Sequence, residues 1–181
     1  LLPWFASSQR DLQWRKNRTP YRVWIAELML QHTRVATVTD YYGAWMKQFP
    51  SIRKLARASQ DEVLKAWEGL GYYSRARNAH RAARILVQNH GGRFPRSLEK
   101  LQAVPGIGNY TAPAIASLAM GMDAAVLDGN VIRVLSRLYG YDKPCSSAMA
   151  RRQLQSWASG HLLPGRAGDM NEATIELGAL I

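Results

Sequence analysis

The chain has 181 residues, 47% of them hydrophobic, which suits one domain or two closely joined lobes around a sizeable core. Its 24 Lys and Arg against 13 Asp and Glu leave a net charge of +11 and an isoelectric point near 10.2, a field suited to a polyanion, nucleic acid first. No apolar run approaches the ~20 residues that cross a bilayer, no signal peptide is visible, and the single Cys145 excludes an internal disulfide framework or a cysteine-rich metal site made from this chain alone.

The periodicity is helical almost from end to end. Apolar residues recur three or four apart over 21–34, 36–48, 60–69, 74–89, 97–104, 109–121, 128–139, 146–160 and 169–180, with Gly, Pro or Ser between the segments. The opening LLPWFASSQRDL starts inside a helix. Pro20 and Pro50 punctuate the first pair of segments, and GGRF at 91–94 followed by Pro95 reads as a loop. No alternating strand, low-complexity stretch or internal repeat is visible, so the predicted fold class is all-α. Basic residues are spread over the helical segments, which predicts a folded basic face rather than a disordered arm.

The most informative stretch is LQAVPGIGNYTA, residues 101–112. A Pro-Gly-x-Gly turn between two apolar helical patterns exposes successive backbone N–H groups at a helix N-terminus, an end that attracts phosphate. It reads as a helix-hairpin-helix, with Pro105 ending the first helix and Gly106 and Gly108 permitting close approach. An ordinary helix–helix turn has the same pattern. Asp128 follows Tyr110 by 18 positions, in VLDGNVIRV, where it serves either chemistry or as the N-cap of the next helix. Glu27 lies among Trp24, Ile25, Leu28 and Leu30, where burial would raise its pKa and suit it to general-acid work. At a solvent edge it would instead pair with Arg22 or Arg34.

Two carboxylates beside a DNA-gripping hairpin point to cleavage of a glycosidic bond, one group protonating the leaving base and the other stabilising an oxocarbenium-like sugar. In DNA that bond lies inside the stack, so the nucleotide must be flipped out and the void held open. GLGYYSRARN at 69–78 offers Tyr72 and Tyr73 on a glycine-flanked turn, followed by Arg75 and Arg77, although a core aromatic pair at a helix start reads the same way.

These residues, with the blocks LQWRKNRTPYRVWIAELMLQHTRVATV, DEVLKAWEGLGYYSRARN, VPGIGNYTAPAIASLAMG, VLDGNVIRVLSR and NEATIELGALI, resemble the helix-hairpin-helix superfamily related to endonuclease III, and within it the MutY-type adenine DNA glycosylases. The resemblance runs from about Asp11 to Ile181. It implies two helical lobes around a DNA-binding cleft: a six-helix barrel over 12–122, and a second lobe from 1–11 with 123–181. It implies that Glu27 protonates adenine, that Asp128 faces the sugar cation from the other side of the cleft with Asn130 holding it, and that Trp14, Arg15, Leu30 and Glu172 surround the base. Gln31, His32, Thr33, Arg34, Tyr72, Tyr73, Arg75, Gly106, Gly108 and Asn109 would contact DNA. Tyr110 stands where bifunctional members carry a lysine, and a phenol forms no Schiff base, so the enzyme would remove the base and leave the strand intact.

Two departures stand out. The family has two consecutive glutamines where this chain has Gln31 and His32, which bears on recognition of the base opposite the adenine. The family also continues past the position of Ile181 into four cysteines that hold a [4Fe–4S] cluster, and then to a Nudix-like domain that reads 8-oxoguanine, so the chain reads as truncated before that region. A monovalent cation at the hairpin is also implied. The implied partner is double-stranded DNA with a mismatched or oxidised base pair, bound by a monomer with no membrane association. The implied compartment is the cytoplasm, at the nucleoid, in a bacterium, and the nucleus or mitochondrion elsewhere. Two alternatives stand beside this: a thymine glycosylase acting on T·G mismatches, and a non-catalytic mismatch-binding module.

Overall fold

A computed structural model describes residues 1–181, and it is all-helical, with no strand. The helices are α1 (Leu2–Ser8), α2 (Gln13–Lys16), α3 (Pro20–Leu30), α4 (Val35–Gln48), α5 (Ile52–Arg57), α6 (Gln60–Ala66), α7 (Ser74–His90), α8 (Leu98–Gln102), α9 (Thr111–Met120), α10 (Gly129–Leu138), α11 (Ala148–Gly160) and α12 (Ala167–Leu180). No helix is long and apolar enough to cross a membrane.

The chain divides into two compact units, one spanning Leu12–Ala112 and the other combining Leu1–Asp11 with Pro113–Ile181. The first holds a dense aromatic core. Trp45 meets Phe49 and Trp67 edge-on at 4.9 and 5.5 Å, and all three are at most 1% exposed. Tyr21 reaches the same place with a hydroxyl that donates to the Phe49 carbonyl at 2.6 Å and accepts from the Trp45 indole at 3.2 Å, so its polar end is satisfied without water. Burial pushes the Tyr21 phenol well above its usual range.

Local signals delimit these helices. Thr19 caps α3 by accepting from the Arg22 amide, with Pro20 at the first helical position. Ser59 and Glu62 form a reciprocal capping box on α6. α7 ends at Gly91, whose carbonyl accepts from Arg53 Nη2 at 2.6 Å.

The terminal unit is built on α10, α11 and α12. Val131, Leu135, Leu154 and Ala158 form its apolar centre, with Leu127, Ile132 and Trp157 packed around it. Glu176, fully buried, takes a bidentate pair from Arg10 at 2.8 Å and also accepts the Arg10 amide at 3.1 Å, which ties the N-terminal segment to α12. Asn171 is the polar hub: its Oδ1 accepts from the Val126 amide at 3.1 Å, and its Nδ2 donates to Ser117 Oγ and to the Ala124 carbonyl, each at 2.8 Å. The Asn171–Ser117 bond explains why α9 from Pro113 onward belongs to this unit, whereas the sequence reading carried the first lobe to 122.

Replacing Asn171 by Leu removes this hub and leaves a buried amide and carbonyl unpaired. Urea denaturation should show a loss of about 2–6 kcal/mol in unfolding free energy, each orphaned group costing about 1–3 kcal/mol.

Candidate active site

Glu27 sits in the last turns of α3 and is 7% exposed, so it is buried rather than placed at a solvent edge. Its Oε2 accepts from the Tyr110 hydroxyl at 2.5 Å, across 83 residues of sequence. A short O–H···O contact to a carboxyl group is a strong one and fixes its rotation. Tyr110 ends the turn before α9, so the Leu12–Ala112 unit brings the hairpin and this carboxyl group together.

The hairpin runs from α8 through residues 103–110 into α9. Ile107 is 1% exposed and anchors the turn, its amide donating to the Val104 carbonyl at 3.0 Å. Gly106 has φ +79° and lies against Asn78, 3.0 Å from where a Cβ would stand, so both conformation and space require glycine. Gly108 differs: nothing lies within 4 Å of its missing Cβ, and it is exposed beside Asn109. An open groove of about 610 Å³ runs over residues 102–111, with Gln31 and Arg81 on its sides. Backbone amides, an open glycine and one guanidinium have the chemistry that holds a phosphate.

Two tips project from the same unit. His32 follows α3 with φ +61°, and Tyr72 precedes α7 with φ +45°, the two non-glycine residues of the chain in the left-handed region. Their rings pack at 5.1 Å between centroids, tilted by 33°. Tyr72 is 65% exposed and Tyr73 39%, so neither is a core aromatic. Left-handed backbone at bulky residues costs about 1–3 kcal/mol each and persists where the surroundings over-determine it.

Arg75 corrects the sequence reading. It was expected to contact DNA, yet it is 7% exposed, and its guanidinium donates to protein carbonyls: Leu28 at 2.7 Å, Met29 at 3.2 Å, Gln31 at short range, Leu70 at 2.9 Å and Gly71 at 3.2 Å. It also lies over the Trp67 ring at 5.2 Å. Position gives the signal that was missed, because Arg75 shares the face of α7 that buries Ala79, Ala82, Ala83 and Leu86. Of the remaining residues from this region, Gln31 donates to Thr111 Oγ1 at 3.5 Å, Thr33 accepts weakly from Arg75 at 3.4 Å, and Arg34 is exposed before α4. Leu30 and Arg15 are half-buried, and Trp14 is buried at 7% exposure with an edge contact to Tyr42 at 5.5 Å.

In the terminal unit, Asp128 does what an N-cap does: its Oδ1 accepts from the Val131 amide at 2.8 Å. Its Oδ2 accepts from Asn130 Nδ2 at 2.9 Å. Asn130 is oriented in turn, since its Oδ1 accepts from Arg133 Nη1 at 3.1 Å, and Arg133 also bonds closely to the Gly178 carbonyl. Gly178 packs directly on the Asn130 backbone, where any side chain would collide, so α12 lies close against the first turn of α10. Glu172 is buried one and a half turns earlier on α12, 6% exposed.

The iron–sulfur cluster implied by the resemblance finds no ligand set here. Cys145 is the only thiol, and no three His, Cys, Asp or Glu side chains converge as metal ligands.

If His32 is held in a left-handed conformation against its preference, His32→Gly relieves that strain. Its unfolding free energy should equal or exceed that of the parent chain, where glycine in a helix interior loses about 0.5–1 kcal/mol. Urea titration of both proteins checks this.

Comparison with known proteins places this arrangement. Residues 25–159 match the HhH-GPD superfamily base excision DNA repair protein family. The adenine DNA glycosylase of Homo sapiens is 46% identical over 190 residues, covering 100% of this chain and 35% of the relative, and that of Buchnera aphidicola subsp. Baizongia pistaciae is 38% identical over 182 residues, covering 100% and 51%. The chain thus spans about a third to a half of the length of these curated relatives. Among solved structures, a thermostable thymine-DNA glycosylase superposes with a TM-score of 0.90 at 27% identity, covering 99% of this chain and 83% of that one. A non-covalent endonuclease III–DNA complex superposes with a TM-score of 0.79 at 20% identity, covering 96% and 78%, a likeness of fold. The chain belongs to the HhH-GPD superfamily of base excision DNA repair proteins.

Proposed function

We propose that this chain carries the catalytic region of a monofunctional adenine DNA glycosylase that removes adenine mispaired with 8-oxoguanine or G from duplex DNA. The observation that carries the reading is the buried Glu27 carboxyl group held by Tyr110 at 2.5 Å, within a chain 46% identical to one adenine DNA glycosylase. A purine leaves as a poor anion, so breaking its bond to C1′ requires a proton at an imidazole nitrogen as electron density moves onto the base. Glu27 supplies that proton and, once ionised, accepts one from the water that adds to C1′. Asp128, held by Asn130 and the Val131 amide, supplies the negative charge that the oxocarbenium-like sugar requires. With a phenol at position 110, no amine there attacks C1′, and the strand stays uncut.

The net charge of +11 and the hairpin amides supply the grip on phosphates. Glu172 and Arg15 supply polar contacts to the adenine edge, with Leu30 and Trp14 on its apolar sides. Gln31, His32 and Tyr72 enter the stack on the side of the opposite base.

Single-turnover excision on a duplex with A opposite 8-oxoguanine, beside A·G, T·G and A·T controls, tests this. The expected result is alkali-dependent cleavage at the adenine, falling about 10²–10⁴-fold in Glu27→Gln, the usual contribution of a general acid. Binding should weaken with salt by about 0.9 decades per decade for each phosphate neutralised. Excision at T·G in place of A would move the activity to the thymine branch, which the 0.90 TM-score superposition makes the relevant rival. Binding without excision anywhere would sink the catalytic reading of this chain.

A further inference from the structure

We propose that Arg75 is a positioning residue for opening the duplex: from inside the protein it holds the His32 and Tyr72 tips in the strained, pre-formed wedge that enters the base stack. This rests on the glycosylase reading for its biological setting.

The argument starts from where the donors go. Arg75 Nη1 bonds to the carbonyls of Leu28, Met29 and Gln31, the last turn of α3 and the residue before His32. Arg75 Nη2 bonds to the carbonyls of Leu70 and Gly71, the two residues before Tyr72. One guanidinium therefore staples together two backbone segments, 28–31 and 70–71, each leading into a tip. Both tips have positive φ, and their rings pack against each other at 5.1 Å. The guanidinium lies 5.7 Å from the Tyr72 ring centre, so it supports that tip from behind as well as through its backbone.

The chemistry is specific to arginine. A planar fork reaches two carbonyl groups in different directions, whereas an ammonium is a single point of charge. The carbonyls at the end of α3 also carry the negative end of the helix dipole, which suits a cation there. Arg75 Nε is buried without a hydrogen-bond partner. A buried cation with an unsatisfied donor is an expensive way to join two turns. Retaining it makes sense where the shape it enforces is needed: a wedge already in its final form loses no ordering entropy at the moment the stack is opened.

The test uses Arg75→Lys and Arg75→Gln in the whole chain, each checked by circular dichroism and urea unfolding. Duplex binding is followed by fluorescence anisotropy, and unstacking by the fluorescence of 2-aminopurine placed next to an A·8-oxoguanine pair. Arg75→Lys should bind nearly as well as the parent, lose more than half of the 2-aminopurine rise and excise adenine about 10–100-fold more slowly, the scale of a small misplacement. In a Tyr72→Ala background the same change should add little further loss, because the tip it supports is already gone. Equal losses in both backgrounds, an undiminished 2-aminopurine rise, or loss of the native fold in both Arg75 variants would overturn the proposal in favour of a general structural role. The 2-aminopurine signal also separates the two readings. If the parent chain unstacks the duplex and excises nothing, the glycosylase reading fails while Arg75 is still judged by the fluorescence. If the parent chain binds without any rise, there is no wedge and this proposal fails.

Discussion

The structure turns on one requirement: a carboxyl group must be kept out of water on an apolar helix and still be held in a defined orientation. α3 meets the first part, because eight of its eleven residues are buried and Glu27 is among them. The hairpin meets the second part through Tyr110. Burial alone would leave the group free to rotate, and a hydrogen bond alone, in water, would contribute only about 1 kcal/mol. Together they tie the hairpin turn and the Glu27 carboxyl group within one compact unit, so a displacement of the hairpin displaces the carboxyl group with it. Ile107, buried at the base of the turn, and Gly106, pressed against Asn78, are the packing that keeps the hairpin where Tyr110 can reach.

The same principle recurs at the other carboxylate by different means. Asp128 is half-buried and held by donors on its own helix. The two groups are thus held differently, Glu27 by burial on α3 with one hydroxyl donor and Asp128 by an amide and a side-chain donor of α10.

Much of this was legible in the sequence, and the misses have physical reasons. Predicted helices over 36–48, 74–89 and 146–160 correspond to Val35–Gln48, Ser74–His90 and Ala148–Gly160, because fourteen or so residues repeat an apolar face often enough to be seen. α2 and α5 have four and six residues, too few for a period, although Ser51 as an N-cap signals α5. The segment expected to run to 69 stops at Ala66, because the Trp67 indole folds over to donate to the Gly71 carbonyl and the chain turns there. Glu27, Tyr110, Asp128 and Asn130 were each singled out from sequence. The Glu27–Tyr110 bond was not foreseen, since nothing in a linear pattern pairs residues 83 apart. Arg75 was misread because arginine in a basic segment reads as surface, and only its register on α7 shows that it turns inward.

The N-cap at Asp128 constrains which substitutions the chain can tolerate. Asparagine caps a helix about as well as aspartate but carries no charge, whereas alanine gives up both and costs about 1 kcal/mol of stability. Glutamate keeps the charge and moves it one methylene away from the Val131 amide. Each replacement therefore separates the two duties of the residue differently. On the function proposed above, an asparagine here would yield a well-folded protein that still occupies its DNA while doing no chemistry on it, a form that obstructs repair instead of merely failing to perform it.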